Sequence, residues 1–345
     1  MSIRSLAIAA SAFLGLMVGP TFAQNASIAP QLDTIRERGT FRCGVYENVP
    51  GLSALDAQGR RVGLDVDYCH AMAAAILGDP TKVEFRTMSL AQGIPALRSG
   101  QVDMVALALT YTIQRDTELN LDFVGPTLYS GHAFMVHRRT GATRLADLNG
   151  ATICVVAGGI TDSLIADYFR ARNMTFRPLA VENTTQMYAL YEEGRCDVVT
   201  SEVPFLGMRR SRLRQPDQHL ILDEIFAKSH MGPIVRDDDR RYAHVARWVH
   251  YALVNAEEMG ITRANIDQLV RESRDPAIRR FLGLEGDIGR NMGLPNDFTQ
   301  AIIRAVGNYG EIFERHYGQQ SVIKLPRGLN ALAGQGGLQW SPTWR

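Results

Sequence analysis

The sequence has 345 residues, of which 46% are hydrophobic, and it carries 37 Lys and Arg against 36 Asp and Glu. This near-neutral balance gives no reason to expect nucleic acid or a membrane surface as a partner. The length supplies enough apolar residues for two domain cores rather than one.

The first 23 residues have the order of a secretory signal peptide. Arg4 supplies a positive charge, residues 6–18 are almost wholly apolar, and small residues precede a cleavage site near Ala23. The apolar run is shorter than the roughly 20 residues that a membrane span needs. No cysteine follows it to carry a lipid. We therefore expect the mature chain to begin near Gln24 and to be a soluble protein of the periplasm.

Short apolar runs alternate with helix-permitting segments through the first half of the mature chain. We expect, in chain order, a short helix over 33–39, strands over 41–45, 83–86 and 102–109, a turn over 56–60, and helices over 63–76 and up to Gly100. Strands that alternate with helices at this spacing predict a parallel, doubly wound sheet.

The pattern then repeats in outline, with strands over 151–156, 175–181 and 196–201 and helices over 161–172 and 185–193. Two α/β halves of about 100 residues each are expected to bind ligand where strand carboxyl ends face each other across a crevice. Strands over 133–137 and 233–236 should link the halves, after which a helix over 242–259 returns to the first. We therefore expect one lobe over 24–133 and 236–345 and another over 134–235.

The strand over 102–109 leads into the strongest candidate site. A strand that feeds a helix N-terminus leaves backbone N–H groups free for an anion. Thr110 and Thr112 add hydroxyl groups there, and the planar guanidinium of Arg115 fits a carboxylate at two points. The alternative is a surface arginine after an ordinary loop.

The four cysteines fit an exported protein, because an even number in an oxidising compartment indicates disulfides. They fall as two pairs, one in each half, so we expect Cys43–Cys69 and Cys154–Cys196, while the other two pairings remain open. Their spacing is too long for a CxxC motif, and without clustered histidines they make a poor zinc site.

The sequence lacks the common catalytic motifs: it has no P-loop, no HExxH pair, no GxSxG elbow and no GxGxxG after a strand. We expect no cofactor, no metal and no catalytic residue. His132 and His137 flank a linking strand and are interpreted as hydrogen-bonded structural residues. The basic run over 209–214 is interpreted as a solvated helix face. The tail over 333–345 is either ordered coil on the first domain or a flexible end.

Taken together, these features resemble the periplasmic amino-acid-binding proteins of ABC importers, the family-3 extracellular solute-binding proteins, and most closely their general L-amino-acid-binding branch. The resemblance runs from about Leu32 to the C-terminus. The matching segments are 41–45, 63–69, 110–117, 166–170, 194–197, 251–258 and 305–315. All four cysteines lie where that branch has them.

The resemblance implies a type II periplasmic binding protein fold, in which two α/β lobes with mostly parallel sheets close about a hinge of two crossover strands. It implies a monomer that clamps a free amino acid and delivers it to a membrane permease. Arg115 would take the α-carboxylate, helped by Thr110 and by backbone N–H groups near Ala108. Glu202, at the family's amine-binding Asp position, would balance the ammonium group.

The second lobe would contribute further N–H groups from the turn Gly158, Gly159, Ile160 and Thr161. Tyr46 completes the expected ligand-binding set together with a residue at a position where the family often has an aromatic side chain, here Leu52.

The chain departs from the branch in ways that remove side-chain donors. Residues 107–109 are Leu-Ala-Leu where polar or basic residues are usual, Gly159 and Ile160 replace threonines, and Glu202 is one methylene longer than Asp. We therefore predict a less polar amino acid or small carboxylate rather than glutamate or aspartate. The alternatives are an enzyme on the same fold, similar to cyclohexadienyl dehydratase and using Glu202, Tyr46 or Glu47, and a sensory protein that presents its ligand to a receptor.

Overall fold

The computed structural model describes residues 31–119, 121–156 and 160–345. The expected signal peptide and its cleavage site lie outside these ranges, as do Gly158 and Gly159. Within them, the helices are too short or too polar to cross a membrane.

The strands are β1 Phe41–Val45, β2 Ala54–Leu55, β3 Arg61–Val62, β4 Val83–Thr87, β5 Met104–Thr110, β6 Leu121–Phe123, β7 Gly131–His137, β8 Thr152–Val156, β9 Arg177–Val181, β10 Val198–Glu202, β11 His219–Ile221, β12 Ala227–Lys228 and β13 Met231–Arg236. The helices are α1 Gln31–Arg38, α2 Leu64–Leu77, α3 Leu90–Arg98, α4 Ile113–Glu118, α5 Ile160–Arg170, α6 Thr184–Glu192, α7 Val203–Arg210, α8 Arg240–Glu258, α9 Ile266–Glu272, α10 Pro276–Phe281, α11 Ile288–Met292, α12 Phe298–Val306 and α13 Tyr309–His316.

The first sheet has the strand order β4-β1-β5-β13-β6. Its strand β1 is parallel to β4 and β5, whereas β13 runs antiparallel to β5 and β6. The central strand β5 is apolar almost throughout because helices α2 and α3 cover it.

The second sheet has the order β11-β7-β10-β8-β9, with β12 added beside β7. Strands β8, β9 and β10 are parallel, and β7 is antiparallel to β10. The expected α/β fold with two mostly parallel sheets, that of a type II periplasmic binding protein, is confirmed.

The two linking strands each belong wholly to one sheet: β7 to the second and β13 to the first. The chain therefore changes sheets between Phe123 and Gly131 and again between Lys228 and Met231. The lobe boundaries expected at 133/134 and 235/236 fall inside these strands, and we propose to move them to the two connecting segments. Because both strands are buried along almost their whole length, their pattern does not mark where the chain changes sheets.

Both expected disulfides are present. Cys43 of β1 is joined to Cys69 of α2, with the Cα atoms 6.1 Å apart, and Cys154 of β8 is joined to Cys196 before β10, with a separation of 5.6 Å. The first bridge joins the first sheet to its covering helix α2, and the second joins β8 to the segment that leads into the neighbouring strand β10. On the chain-entropy model, closing loops of this size stabilises the fold by about 3 to 4 kcal/mol each.

The C-terminal segment is ordered coil that lies on the first lobe and reaches the hinge. Trp344 is buried and its ring lies 5.4 Å from the ring of Trp248. At the hinge, Asn330 accepts a hydrogen bond from the Tyr129 amide at 2.7 Å and donates one to its carbonyl at 2.9 Å. Of the two alternatives for the tail, the structure has the ordered one.

Candidate ligand-binding site

A cleft of about 790 Å³ lies between the two lobes, where parallel strands of both sheets end. Tyr46 follows the last residue of β1, Thr110 ends β5, and Glu202 ends β10. All three line the cleft. Ligands of open α/β sheets bind at the carboxyl ends of strands, so this is the expected place for a site.

The first-lobe wall is built by the turn from β5 into α4. Thr112 is the N-cap of α4, and its side chain accepts a hydrogen bond from the Arg115 amide at 3.3 Å. The Arg115 guanidinium folds back and donates from Nη1 to the Thr110 carbonyl at 2.7 Å. Partial burial lowers the pKa of Arg115 from its very high ordinary value, and the group remains charged. The cap and the carbonyl together hold a cation at the end of the strand.

The strand leading to this turn contains a bulge at Ala108. In the pairing of β5 with β13, residues 106–108 face the single residue Pro233. Ala108 has φ +44°, in the left-handed region that a residue with a Cβ rarely adopts. Strand β1 pairs with β5 only as far as Ala106, so the backbone beyond it has no neighbouring strand on that side. Ala108 lines the cleft.

The second-lobe wall is centred on Glu202, the last residue of β10 and the N-cap of α7. Its register partner on β7 is His132, whose Nε2 lies 3.7 Å from Glu202 Oε1. Ser201 donates from Oγ to Glu202 Oε2 at 3.2 Å. His132 is buried, whereas the Glu202 side chain is 24% exposed, so the carboxylate is held by its lobe and still open to the cleft.

Tyr46 lines the cleft together with the charged side chains of both walls. Burial raises the pKa of its hydroxyl to about 12; the charges of Asp65 and Glu202 add to the rise, and that of Arg115 opposes it. Tyr46 therefore stays neutral and offers a ring and a hydroxyl group within a zwitterionic cleft.

A direct hydrogen bond joins the end of β5 to the segment that crosses between the lobes. The hydroxyl oxygens of Thr110 and Ser229 are 3.2 Å apart. Both residues line the cleft, so this hydrogen bond connects the first sheet to the crossing segment at the cleft surface.

The sequence interpretation missed two cations that line the cleft, Arg209 on α7 and Lys228 at the end of β12. The Arg209 guanidinium lies 5.3 Å from the centre of the Tyr188 ring. The interpretation of residues 209–214 as a solvated face is therefore wrong for Arg209. A usable signal was present, because Glu202, Phe205 and Arg209 are spaced to share one face of a helix.

Leu52 is not brought to the cleft wall. Its side chain is 1% exposed within the first-lobe core, and its carbonyl accepts a hydrogen bond from the Asp65 amide at 3.1 Å. The start of α2 thus fixes this loop in the core. Thr161 lies in the first turn of α5, a helix whose Leu164 lines the cleft. The side chain of Ile160 lies outside the described part of the chain, and the role of the Gly158–Thr161 turn stays a prediction.

Comparisons with known proteins are in agreement with this architecture. The family model of bacterial extracellular solute-binding proteins, family 3, matches residues 41–260. The chain is 43% identical to the general L-amino acid-binding periplasmic protein AapJ of Rhizobium johnstonii, over 97% of this chain and 98% of that protein. It is 42% identical to the glutamate/glutamine/aspartate/asparagine-binding protein BztA of Rhodobacter capsulatus, over 97% and 99% of the two chains.

A solved structure with the same arrangement is that of an ABC transporter periplasmic binding protein from Brucella ovis with glutathione bound. It superposes with a TM-score of 0.82 at 44% identity, covering 92% of this chain and 100% of that one.

Proposed function

The chain belongs to the bacterial extracellular solute-binding proteins of family 3, and on that premise we propose that it is the periplasmic substrate-binding component of an ABC-type importer of amino acids. It is a binding protein and not an enzyme, like the named relatives. The mature monomer, cleaved near Ala23, clamps a ligand between its lobes and delivers it to a membrane permease.

The observation that carries the proposal is the opposition of Arg115 and Glu202 across the cleft, with Tyr46 affected by both charges. A free amino acid has a carboxylate and an ammonium group close together. Burying either without a partner is costly, so a site for the zwitterion needs one cation and one anion facing each other. Arg115 takes the α-carboxylate with help from Thr110 and the Ala108 backbone, and Glu202 takes the ammonium group.

The charges on the described cleft wall favour a ligand with a second carboxylate. Three cationic side chains, Arg115, Arg209 and Lys228, share the lining with the single carboxylate of Glu202. A ligand with one ammonium group and two carboxylates has a net negative charge and offsets part of this excess, whereas a ligand with a single carboxylate offsets none of it. The volume of about 790 Å³ also leaves room for more than a single small amino acid.

Glutamate, named for one relative, and glutathione, bound in the Brucella ovis structure, both have this charge pattern. They support a ligand class of amino acids and short peptides with a second carboxylate.

This proposal differs from the less polar ligand expected from residues 107–109. Leu107 and Leu109 are 0% and 1% exposed and pack in the first-lobe core, so their side chains do not contact a ligand in the cleft. Only Ala108 of this run lines the cleft. The apolar character of the two leucines therefore reports core packing and carries no information on ligand polarity.

A thermal-shift and calorimetry panel on the mature chain tests the ligand class. The panel contains L-glutamate, L-aspartate, reduced glutathione, L-leucine and glutarate, which has two carboxylates without an ammonium group. We expect stabilisation by at least one of the first three, reaching about 2.7 kcal/mol at 100 times Kd, and none by glutarate. A response to L-leucine alone would overturn the second carboxylate, and no response to any amino compound would overturn the proposal.

Two further measurements separate the alternatives. Recovering the bound compound chemically unaltered after long incubation is the result expected of a binding protein, and its conversion would indicate an enzyme. Loss of uptake of the labelled compound in a strain without the gene supports delivery to a permease. Normal uptake together with loss of a response to the compound would instead indicate a sensory protein.

A further inference from the structure

A buried carboxyl group without a partner lies directly behind the cleft. Asp65, in the first turn of α2, is 0% exposed. Neither of its carboxyl oxygens has a hydrogen-bond partner of normal geometry within the described ranges. Buried polar groups are nearly always paired, and an unpaired carboxyl is costly, so a group of this kind needs an explanation.

The backbone of Ala108 is the group that acts on this carboxyl. Helix α2, whose first turn holds Asp65, packs on β5, the strand that holds Ala108. Burial raises the pKa of Asp65 to about 7, and the backbone amide of Ala108 opposes part of that rise. The amide is thus close enough to stabilise a negative charge on Asp65.

Ala108 is itself held in a conformation that its neighbours in the sheet do not explain. Its φ of +44° is unfavourable for a residue with a Cβ and persists only where the surroundings hold it. The pairing of β5 with β1 ends at Ala106, and the facing residue on β13 is Pro233, which has no N–H group to donate. Hydrogen bonds to the neighbouring strands therefore do not fix the orientation of the Ala108 peptide, and another group must do so.

We propose that Asp65 is a positioning residue for ligand binding, whose carboxyl attracts the Ala108 amide and so holds the bulge that presents the backbone of residues 108–110 to the cleft. This inference rests on the proposed function, because it assigns the Ala108 backbone and Thr110 to the ligand carboxylate. Asp65 does not touch the ligand; it sets the geometry of the groups that do.

Near neutral pH, Asp65 is expected to change charge while the titratable groups around it do not. Tyr46, Tyr68 and Tyr317 are each affected by its charge, and burial raises the pKa of all three hydroxyls above their ordinary value. His250 shares a hydrogen bond of 2.8 Å with the Tyr68 hydroxyl, and burial lowers the pKa of this histidine to about 4. The tyrosines and the histidine therefore stay neutral between pH 5.5 and 8, where Asp65 changes charge.

A ligand-free measurement tests the contact directly. The chain is labelled with [¹⁵N]alanine, the Ala108 amide signal is assigned by its loss in Ala108→Gly, and its shift is followed from pH 5.5 to 8.5. We expect the signal to titrate near pH 7 in the parent and not in Asp65→Asn. Asp67→Asn is the matched control, because Asp67 lies on the same helix turn but accepts hydrogen bonds from Arg315 and His316 at 2.6 Å. A pH-independent Ala108 amide in the parent would overturn the proposal.

A binding measurement tests the consequence, with L-glutamate as the probe. We expect Asp65→Asn to weaken binding about tenfold, because Asn keeps an acceptor oxygen but removes the negative charge that strengthens the attraction of the Ala108 amide. Asp67→Asn should leave the affinity unchanged. The double variant Asp65→Asn/Ala108→Gly should regain at least threefold, because glycine adopts the left-handed conformation without Cβ strain.

Unchanged affinity in Asp65→Asn, or an equal loss in the double variant, would contradict the positioning role. Absence of L-glutamate binding by the parent would instead count against the proposed ligand, and the Ala108 titration would still decide the role of Asp65.

Discussion

Arg115 donates from Nη1 to the carbonyl of Thr110 at 2.7 Å, which ties the guanidinium to the end of the strand that lines the cleft. A guanidinium has five N–H groups, so this tie leaves donors for a carboxylate. The side chain is therefore oriented by its own lobe, and less conformational freedom is lost when ligand binds.

Replacement of Arg115 should weaken ligand binding strongly. Arg115→Ala removes a charge-assisted pair, so we expect a loss of about 1.5 to 3 kcal/mol, or roughly 10- to 150-fold in Kd. Arg115→Lys should recover only part of this loss, because an ammonium group cannot make the two-point contact. Calorimetric titration with L-glutamate measures both. Arg271→Ala, on the exposed face of α9, is the control and should bind like the parent.

Glu202 should be required for the ammonium group of the ligand. Glu202→Gln keeps the shape of the side chain and removes its charge, so the ammonium group would be buried without a counter-charge. We expect L-glutamate affinity to fall by about tenfold or more. Glu193→Gln, on an exposed residue of the same lobe, supplies the matched control. Equal affinities for the two variants would mean that the ammonium group binds elsewhere.

Lys228 should discriminate between ligands by charge. Lys228→Gln lowers the positive excess of the cleft, so binding of L-glutamate or glutathione should weaken about three- to tenfold and become less dependent on salt. A ligand with a single carboxylate, such as L-alanine, should be affected little if it binds at all. Lys82→Gln, an exposed lysine before β4, is the control. A uniform loss across both ligand types would contradict a role for Lys228 in recognising the second carboxylate.

Buried His250 should make the fold sensitive to acid. Burial lowers its folded-state pKa to about 4, below the ordinary value of 6.5, so the unfolded chain binds more protons between these values. Stability is therefore expected to fall as pH drops from about 6.5 to 4. His250→Gln, which removes the titrating group, should show a smaller fall in Tm between pH 7 and pH 5. Identical pH dependence in the two proteins would show that His250 does not contribute.

Much of the architecture was predictable from local pattern. The strands over 41–45 and 151–156 and both disulfides follow from apolar runs and from paired cysteines in an exported chain. Arg115 was also identifiable, because its place after a strand and a threonine pair has a direct chemical meaning.

The remaining features depend on how elements meet in space. The composition of the run Leu107-Ala108-Leu109 does not tell which face of the strand meets the core; the structure buries Leu107 and Leu109 in the first-lobe core and places Ala108 at the cleft. Arg209 belongs to a basic run whose composition suggests an exposed surface. It lies on the face of α7 that begins at Glu202, however, and this face lines the cleft. Asp65 reads as an ordinary residue of a first helical turn, and its burial comes from the packing of α2 on β5.

A crystal structure of the mature chain with L-glutamate tests directly whether Arg115 and Glu202 bind the two charged groups of the amino acid. We expect a two-point contact between the α-carboxylate and the Arg115 guanidinium, the ammonium group within hydrogen-bond distance of Glu202, and the second carboxylate towards Arg209 or Lys228. A ligand whose carboxylate and ammonium group are bound by other residues, with Arg115 and Glu202 left facing solvent, would contradict this expectation.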